Sequence, residues 1–299
     1  MLHYLILAHK NPAQLQLLID TLYWVNSRIY IHVDAKAWNG DIMNLQNVEY
    51  IQKRISIEWW GFTMVQATLY AFHQILSYMS EWDHLVMMSW QDFPIKSQDF
   101  MYSFFAKYSW KSFMEYRIQP NEEWNILNRV IKYHFHDLRI PEWIDNLIRV
   151  VLKPFYPVHI LRNQAFWYIL AKIVNIIFPE KTYLIRNYKI YWGSSWQILA
   201  FNHIQYILKF LDSKKWKRFI NEFHSVAWPD ELFFQCILLN SIHKDDIINN
   251  LQWYIDWKKW PGLPRILDET DFEDIMWSWK IFARKFDFET SSKLLHSIK

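Results

Sequence analysis

Tyr4-Leu5-Ile6-Leu7-Ala8 and Ile29-Tyr30-Ile31-His32-Val33-Asp34 decide the fold. Each is a short, almost wholly apolar run, without the strict alternation of a strand that is wet on one face. Residues 12–24 between them repeat apolar positions at helical spacing. A strand buried on both faces, then an amphipathic helix, then a second such strand is the unit of a parallel sheet. The pattern continues outward with strands at 48–52 and 84–89 (His-Leu-Val-Met-Met-Ser) and a helix at 63–79. An α/β fold follows, with a mixed, mainly parallel sheet flanked by helices. Ligands of such sheets sit at the carboxyl ends of strands, where Asp34 and the loop from Trp90 to Ile95 fall.

Residues 120–180 break the pattern with an aromatic and basic stretch, helical in spacing at 143–152 and 165–178. Arg149, Lys153, Arg162 and Lys172 alternate with Trp143, Phe155, Tyr156, Phe166, Trp167 and Tyr168. Three readings stay open for this insertion: an interfacial helix pair, a lid over an acceptor, or a helical subdomain with snorkelling cations. Mixed structure resumes with a strand at 183–191 and helices at 200–211, 214–223 and 230–241. A strand over Leu251 to Trp257, a helix near 271–277, a strand at 282–286 and a last helix at 289–297 complete it. With no repeat and no flexible linker, residues 1–299 read as one domain.

Composition narrows the function. Apolar residues make up 52% of the 299, enough for a sizeable core. A net charge of +3 is too small to argue for nucleic acid. The single cysteine, Cys236, excludes an intrachain disulfide and reads as a buried, inert thiol. No leader pattern opens the sequence and no apolar run reaches the ~18 residues of a membrane span. A cytoplasmic protein is expected, with peripheral contact on the inner face of the membrane through 143–178 as one option.

One figure is abnormal: 4 glycines stand against 19 tryptophans. Turns need residues that tolerate positive φ, and glycine supplies most of them. Several tryptophans occupy turn-like contexts, as in Lys259-Trp260-Pro261-Gly262 and Tyr191-Trp192-Gly193-Ser194. Reading UGA codons as tryptophan in a lineage that reads them as glycine produces this pattern. UGG codons at Trp60, Trp90, Trp192, Trp260 and Trp279 would dispose of the idea.

Two C-terminal segments carry the chemistry. Trp228-Pro229-Asp230-Glu231 puts a carboxylate at the start of an apolar run, and Phe282-Ala283-Arg284-Lys285-Phe286 follows Arg265 by about 20 residues. A base to deprotonate an acceptor hydroxyl and fixed cations for a leaving diphosphate are the minimum for moving a sugar off a nucleotide without a metal. Alone, Asp230 and Glu231 could merely complement a helix dipole. No Asp-x-Asp metal signature occurs, and His134-x-His136 has no third ligand at zinc spacing. No metal or cofactor is therefore expected. Asp34 could accept from a uracil imide or cap its turn, and Asp92 could accept from sugar hydroxyls or form an Asx turn before Pro94.

Taken in order, Tyr4 to Lys10, Ile31 to Asp34, Gln91 to Lys96, Gly193-Ser194-Ser195-Trp196, Pro229-Asp230-Glu231, Tyr254 to Trp257 and Phe282 to Phe286 resemble the core-2/I-branching β-1,6-N-acetylglucosaminyltransferase and peptide O-xylosyltransferase family, in its bacterial soluble form. The resemblance implies a GT-A-like fold and inverting, metal-free transfer from a UDP-sugar to a glycan or lipid-linked oligosaccharide. It implies Glu231 as base, Arg265 and Lys285 on the diphosphate, and Asp34 with Trp59 at the uracil. Asp92, Ser195 and Trp257 would then serve the sugar or acceptor. The family's pattern carries glycine where this chain has Trp90 and Trp279, and glycine also fits at Trp60 and Trp192.

Overall fold

The computed structural model describes residues 1–37, 40–118, 126–137, 165–213, 216–257 and 264–298, with Trp143, Leu147 and Val150 singly. Its centre is a seven-stranded sheet in the order β10-β6-β9-β4-β1-β2-β3. The strands are β1 (Leu2–Ala8), β2 (Ser27–Val33), β3 (Glu49–Tyr50), β4 (His84–Ser89), β6 (Ser112–Phe113), β9 (Ile198–Ala200) and β10 (Ile247–Ile248). β1 pairs parallel with both β2 and β4, and only β9 runs antiparallel to its neighbours. Three further strands, β5 (Asp92–Pro94), β11 (Trp253–Ile255) and β12 (Phe282–Arg284), form a small sheet, and β7 (Arg117–Ile118) pairs with β8 (Tyr191–Trp192).

The apolar runs behave as their pattern requires. Tyr4, Ile6, Ile31, Val86 and Met88 point into one core, together with Leu15, Leu18 and Ile19 of helix α1 (Pro12–Leu22). Leu5, Tyr30, Leu85 and Met87 point into the other, with Val65, Phe72 and Ile75 of α2 (Thr63–Leu76) and Ile204 and Ile207 of α3 (Phe201–Asp212). A sheet covered on both faces needs apolar residues at successive positions, which is why these strands lack alternation. The chain passes from β1 towards β2 on one side and returns to β4 on the other. The point where the order reverses lies at the carboxyl ends of β1 and β4.

Three expectations are corrected. Residues 183–191 are a short helix, Tyr183–Asn187, before β8, because Leu184 buries against the core and Tyr183 and Tyr188 pack on Arg218 and Phe219 of the helix Trp216–Phe223. The helix over 230–241 is divided: Pro229–Glu231 form a 3₁₀ turn, and α4 begins at Phe233 and ends at Leu239. The loop 89–96 contains β5, whose Asp92 lies opposite Arg284 of β12. The helix at 143–152 and the interfacial reading of 143–164 lie outside the described residues, apart from three single positions. Ala165–Ile177 is helical as expected, and among the described residues no helix is long and apolar enough to cross a membrane.

Candidate active site

Glu231 sits on a turn that the chain holds from several sides. Gly193 N–H donates to the Glu231 carbonyl at 2.9 Å. A Cβ on Gly193 would lie 2.0 Å from the carbonyl oxygen of Glu115, so this close approach requires glycine. The Glu231 carboxylate accepts from Arg129 Nη2 at 2.6 Å, and the Arg129 guanidinium lies 4.6 Å from the ring centre of Trp228. Beside it, Ser195 Oγ donates to Asp230 Oδ2 at 2.6 Å. Burial raises the Glu231 pKa to about 7; Arg129 opposes the rise, while the Asp230 and Glu115 carboxylates add to it. Burial also raises that of Asp230. A carboxylate that titrates near neutrality, one third of whose side chain still meets solvent, is suited to accepting a proton.

Lys285 lies on the same rim. Its ammonium is 5.9 Å from the ring centre of Trp59, itself half exposed, and Trp60 N-terminal to Gly61 meets Trp228 edge-on at 5.7 Å. Trp228 N–H donates to the Trp60 carbonyl, which ties the Glu231 turn to the Trp59 segment. Burial and the neighbouring Arg284 lower the Lys285 pKa to about 8, with Asp92 opposing and Lys10 adding. Among the described residues no carboxylate comes within ion-pair distance of it. A buried cation without an anionic partner is costly, and an incoming anion relieves that cost.

Two expected ligands are occupied within the fold. Arg265 was assigned to a diphosphate, but Asp256, Asp268 and Asp271 surround its guanidinium: Nε is 2.8 Å from Asp256, Nη1 is 3.4 Å from Asp268, and Nη2 meets Asp271. With three carboxylates on one guanidinium, Arg265 is paired within the fold in this structure. Arg265 remains next to Lys285 only through its backbone. Asp92 is likewise engaged within the fold. It is 1% exposed, accepts from Ser89 N–H at 2.6 Å and faces Arg284 Nη1 at 3.4 Å, while Arg284 stacks on Trp196 at 4.2 Å. It is the buried counter-ion that fastens β5 to β12.

The other expected residues fall on two sides. Asp34 is buried at the end of β2, where one carboxylate oxygen accepts from Lys36 N–H at 2.8 Å, the turn-capping role. Trp257 is half exposed and lines a cavity of about 480 Å³ with Trp253, Tyr254, Asn249, Asn250, Glu115 and Lys280. Aromatic faces, amides and a carboxylate are the lining that sugar hydroxyls and ring C–H groups need. Arg129 and Glu115 were missed by the sequence reading: nothing local to either marks it, Glu115 following β6 and Arg129 lying near the start of the poorly patterned middle segment.

At the reversal point of the sheet stands Trp90. It is 2% exposed, meets His9 edge-on at 5.6 Å, and has the Lys10 ammonium 5.1 Å from its ring centre. Its carbonyl accepts from Gln14 at 3.0 Å. An indole therefore fills the crevice in which doubly wound sheets take ligands. Trp60 and Trp228 adopt φ of 73° and 50°, the left-handed region that strains a bulky side chain. Trp279 is 96% exposed.

The Core-2/I-Branching enzyme profile matches residues 2–146 and 149–276. The chain belongs to that family. It is 21% identical to xylosyltransferase 1 of Rattus norvegicus over an alignment 324 positions long, gaps included, which takes in 97% of this chain and 34% of the rat protein. It is 28% identical over 127 residues to a Sus scrofa protein described as probable beta-1,3-galactosyl-O-glycosyl-glycoprotein beta-1,6-N-acetylglucosaminyltransferase 7, covering 40% of this chain and 30% of that one. A xylosyltransferase of Ciona intestinalis is 26% identical over 137 residues, 42% of this chain and 16% of that protein. This family member thus spans about a third or less of the curated relatives it matches. Among solved structures, mouse xyloside xylosyltransferase 1 in its apo form is similar at a TM-score of 0.41 and 8% identity, covering 97% of this chain and 99% of that one, a likeness too distant to carry an argument.

Proposed function

We propose that this family member is an inverting, metal-independent glycosyltransferase that moves a sugar from a UDP-sugar to a hydroxyl of a glycan acceptor. Glu231, raised to about 7 beside Arg129 and within electrostatic reach of Glu115, which lines the Trp257 cavity, carries the proposal. The acceptor oxygen attacks C1 of the donor sugar as its proton passes to the Glu231 carboxylate. The bond from C1 to the diphosphate oxygen breaks, and its electron pair leaves with the UDP. Lys285 takes up that charge, and Arg129 holds the carboxylate in place. Trp59 and Asp34 would flank the uracil, and Ser195 positions the turn through Asp230. UDP-N-acetylglucosamine is the first choice of donor and UDP-xylose the second, in keeping with the two activities named among the relatives. The acceptor would be a surface polysaccharide or lipid-linked oligosaccharide, built on the cytoplasmic face with peripheral membrane contact through 143–178.

A second reading, a non-catalytic glycan- or nucleotide-binding protein of the same fold, is favoured by one observation: Trp90 occupies the crevice. The two readings separate with the codons. Glycine at 90 would leave space beside His9 and release Lys10 from the indole face, giving the donor both room and a second cation. The strained φ of Trp60 supports the same substitution there. Transfer and hydrolysis of both donors in EDTA, on protein with glycine at any positions that the gene encodes by UGA, test the proposal. Turnover of either donor supports it. Absence of turnover together with absence of UDP binding refutes it.

A further inference from the structure

Beside the edge strand β10, the fold brings His203 of α3 against His243 and Asp246, which stand together on the turn entering that strand 40 residues further along the chain. His203 in the first turn of α3, His243 and Asp246 each offer a ligand atom, and these atoms lie within 4.8 Å of one another. His203 is fully buried. Its Nδ1 is 2.6 Å from Ser112 Oγ, which also accepts from Ala200 N–H at 2.9 Å. The His243 ring meets that of His203 edge-on at 5.2 Å and packs against Tyr206. Lys111 Nζ donates to one oxygen of Asp246 at 2.8 Å.

A neighbouring group is left unsatisfied. Asn202 Nδ2 lies 3.5 Å from His203 Nε2, at the limit of a hydrogen bond, and its buried Oδ1 has no partner. That buried, unpartnered amide oxygen stands beside the His203 ring and is available as a further oxygen ligand. The Ser112 hydroxyl on Nδ1 fixes the His203 ring and leaves the other ring nitrogen to face a ligand, the part that outer-shell hydrogen-bond partners play for metal-bound imidazoles.

We propose that His203, His243 and Asp246 bind one divalent transition-metal ion of the zinc class, with the Asn202 amide oxygen or water as fourth ligand. Two imidazoles and oxygen donors are a borderline set that suits zinc. Ligand atoms on tetrahedral zinc stand ~3.3 Å apart, so the trio closes by small rotations of His243 and Asp246, both partly exposed. The ion would clip α3 to the segment entering β10. That segment continues into Asn249, Asn250 and Leu251, which form one wall of the Trp257 cavity. The site is structural and independent of the transfer chemistry, so it is compatible with turnover in EDTA.

Zinc alone, titrated calorimetrically into the chelator-treated full chain, tests this. The expected result is one ion per chain and a thermal midpoint that rises with zinc. His243→Ala and Asp246→Asn should each weaken binding about 10-fold or more and remove the midpoint shift. Lys111→Met, which removes a competing cation, should tighten it. Absence of saturable binding overturns the proposal. Binding unchanged in His243→Ala also overturns it, because the ion would then sit elsewhere, for instance at His134 and His136, whose rings stack at 5.9 Å.

Discussion

Lys285 and Arg265 were expected to share one task, and the fold gives them opposite surroundings. Around Arg265, every part of the guanidinium meets a carboxylate, from Asp256, Asp268 or Asp271. Around Lys285, 8% exposed, burial and the cation Arg284 both press on the ammonium, and no carboxylate closes on it. The first region is satisfied and holds itself together. The second is unsatisfied, shares its rim with the perturbed Glu231, and is where a ligand has something to gain. Residue type alone cannot tell a clamp from a binding site; the partners decide.

The comparison can be broken in order of effect size. Glu231→Gln, on the unsatisfied rim, should lower the transfer rate about 10²–10⁴-fold with the chain still folded and UDP still bound. Lys285→Ala should weaken UDP about 10–100-fold, the value of a lost charged hydrogen bond; unchanged affinity in a UDP titration would remove the distinction between the two cations. Arg265→Met should leave UDP affinity alone and cost about 3 kcal/mol of stability in urea unfolding, because Asp256 and Asp271 are then buried without their cation. A UDP effect larger than that of Lys285→Ala would reverse the account.

The rim also sets the pH profile. Glu231 must be ionised, so activity should fall as pH drops through about 7. Lys285 must be protonated, so activity should fall again as pH rises through about 8. A narrow bell in kcat/KM is expected, and Glu231→Gln should lose its acid limb. The smallest effect concerns the backbone: Trp60→Gly should raise stability by about 1 kcal/mol, by relieving a φ of 73°. A fall in the thermal midpoint would mean that the contacts of Trp60 with His136 and Trp228 outweigh the strain.

The strands β1, β2 and β4 and the helices α1 and α2 were legible because burial on both faces writes itself into consecutive apolar residues. Glu231, Gly193 and Lys285 were legible as motifs. The clamp on Arg265 was not: its carboxylates stand only 9, 3 and 6 residues away, but no regular spacing marks them, and it takes the turn capped by Asp268 to bring Asp268 and Asp271 back onto the guanidinium opposite Asp256. Arg129 reaches Glu231 across 102 residues, and Asp92 reads as a surface loop until β5 is paired with β12. The trio of His203, His243 and Asp246 has no sequence spacing that zinc would reveal. Cys236 illustrates the easy case: an apolar helix foretold a buried thiol, and burial does raise its pKa to about 12.

The most direct test is donor turnover in EDTA by the parent chain and by Glu231→Gln, with glycine at any positions that the gene encodes by UGA and UDP binding measured on both. The account predicts transfer from UDP-N-acetylglucosamine or UDP-xylose by the parent, and near-complete loss in the variant with UDP affinity retained. Full transfer by a folded Glu231→Gln chain would contradict it.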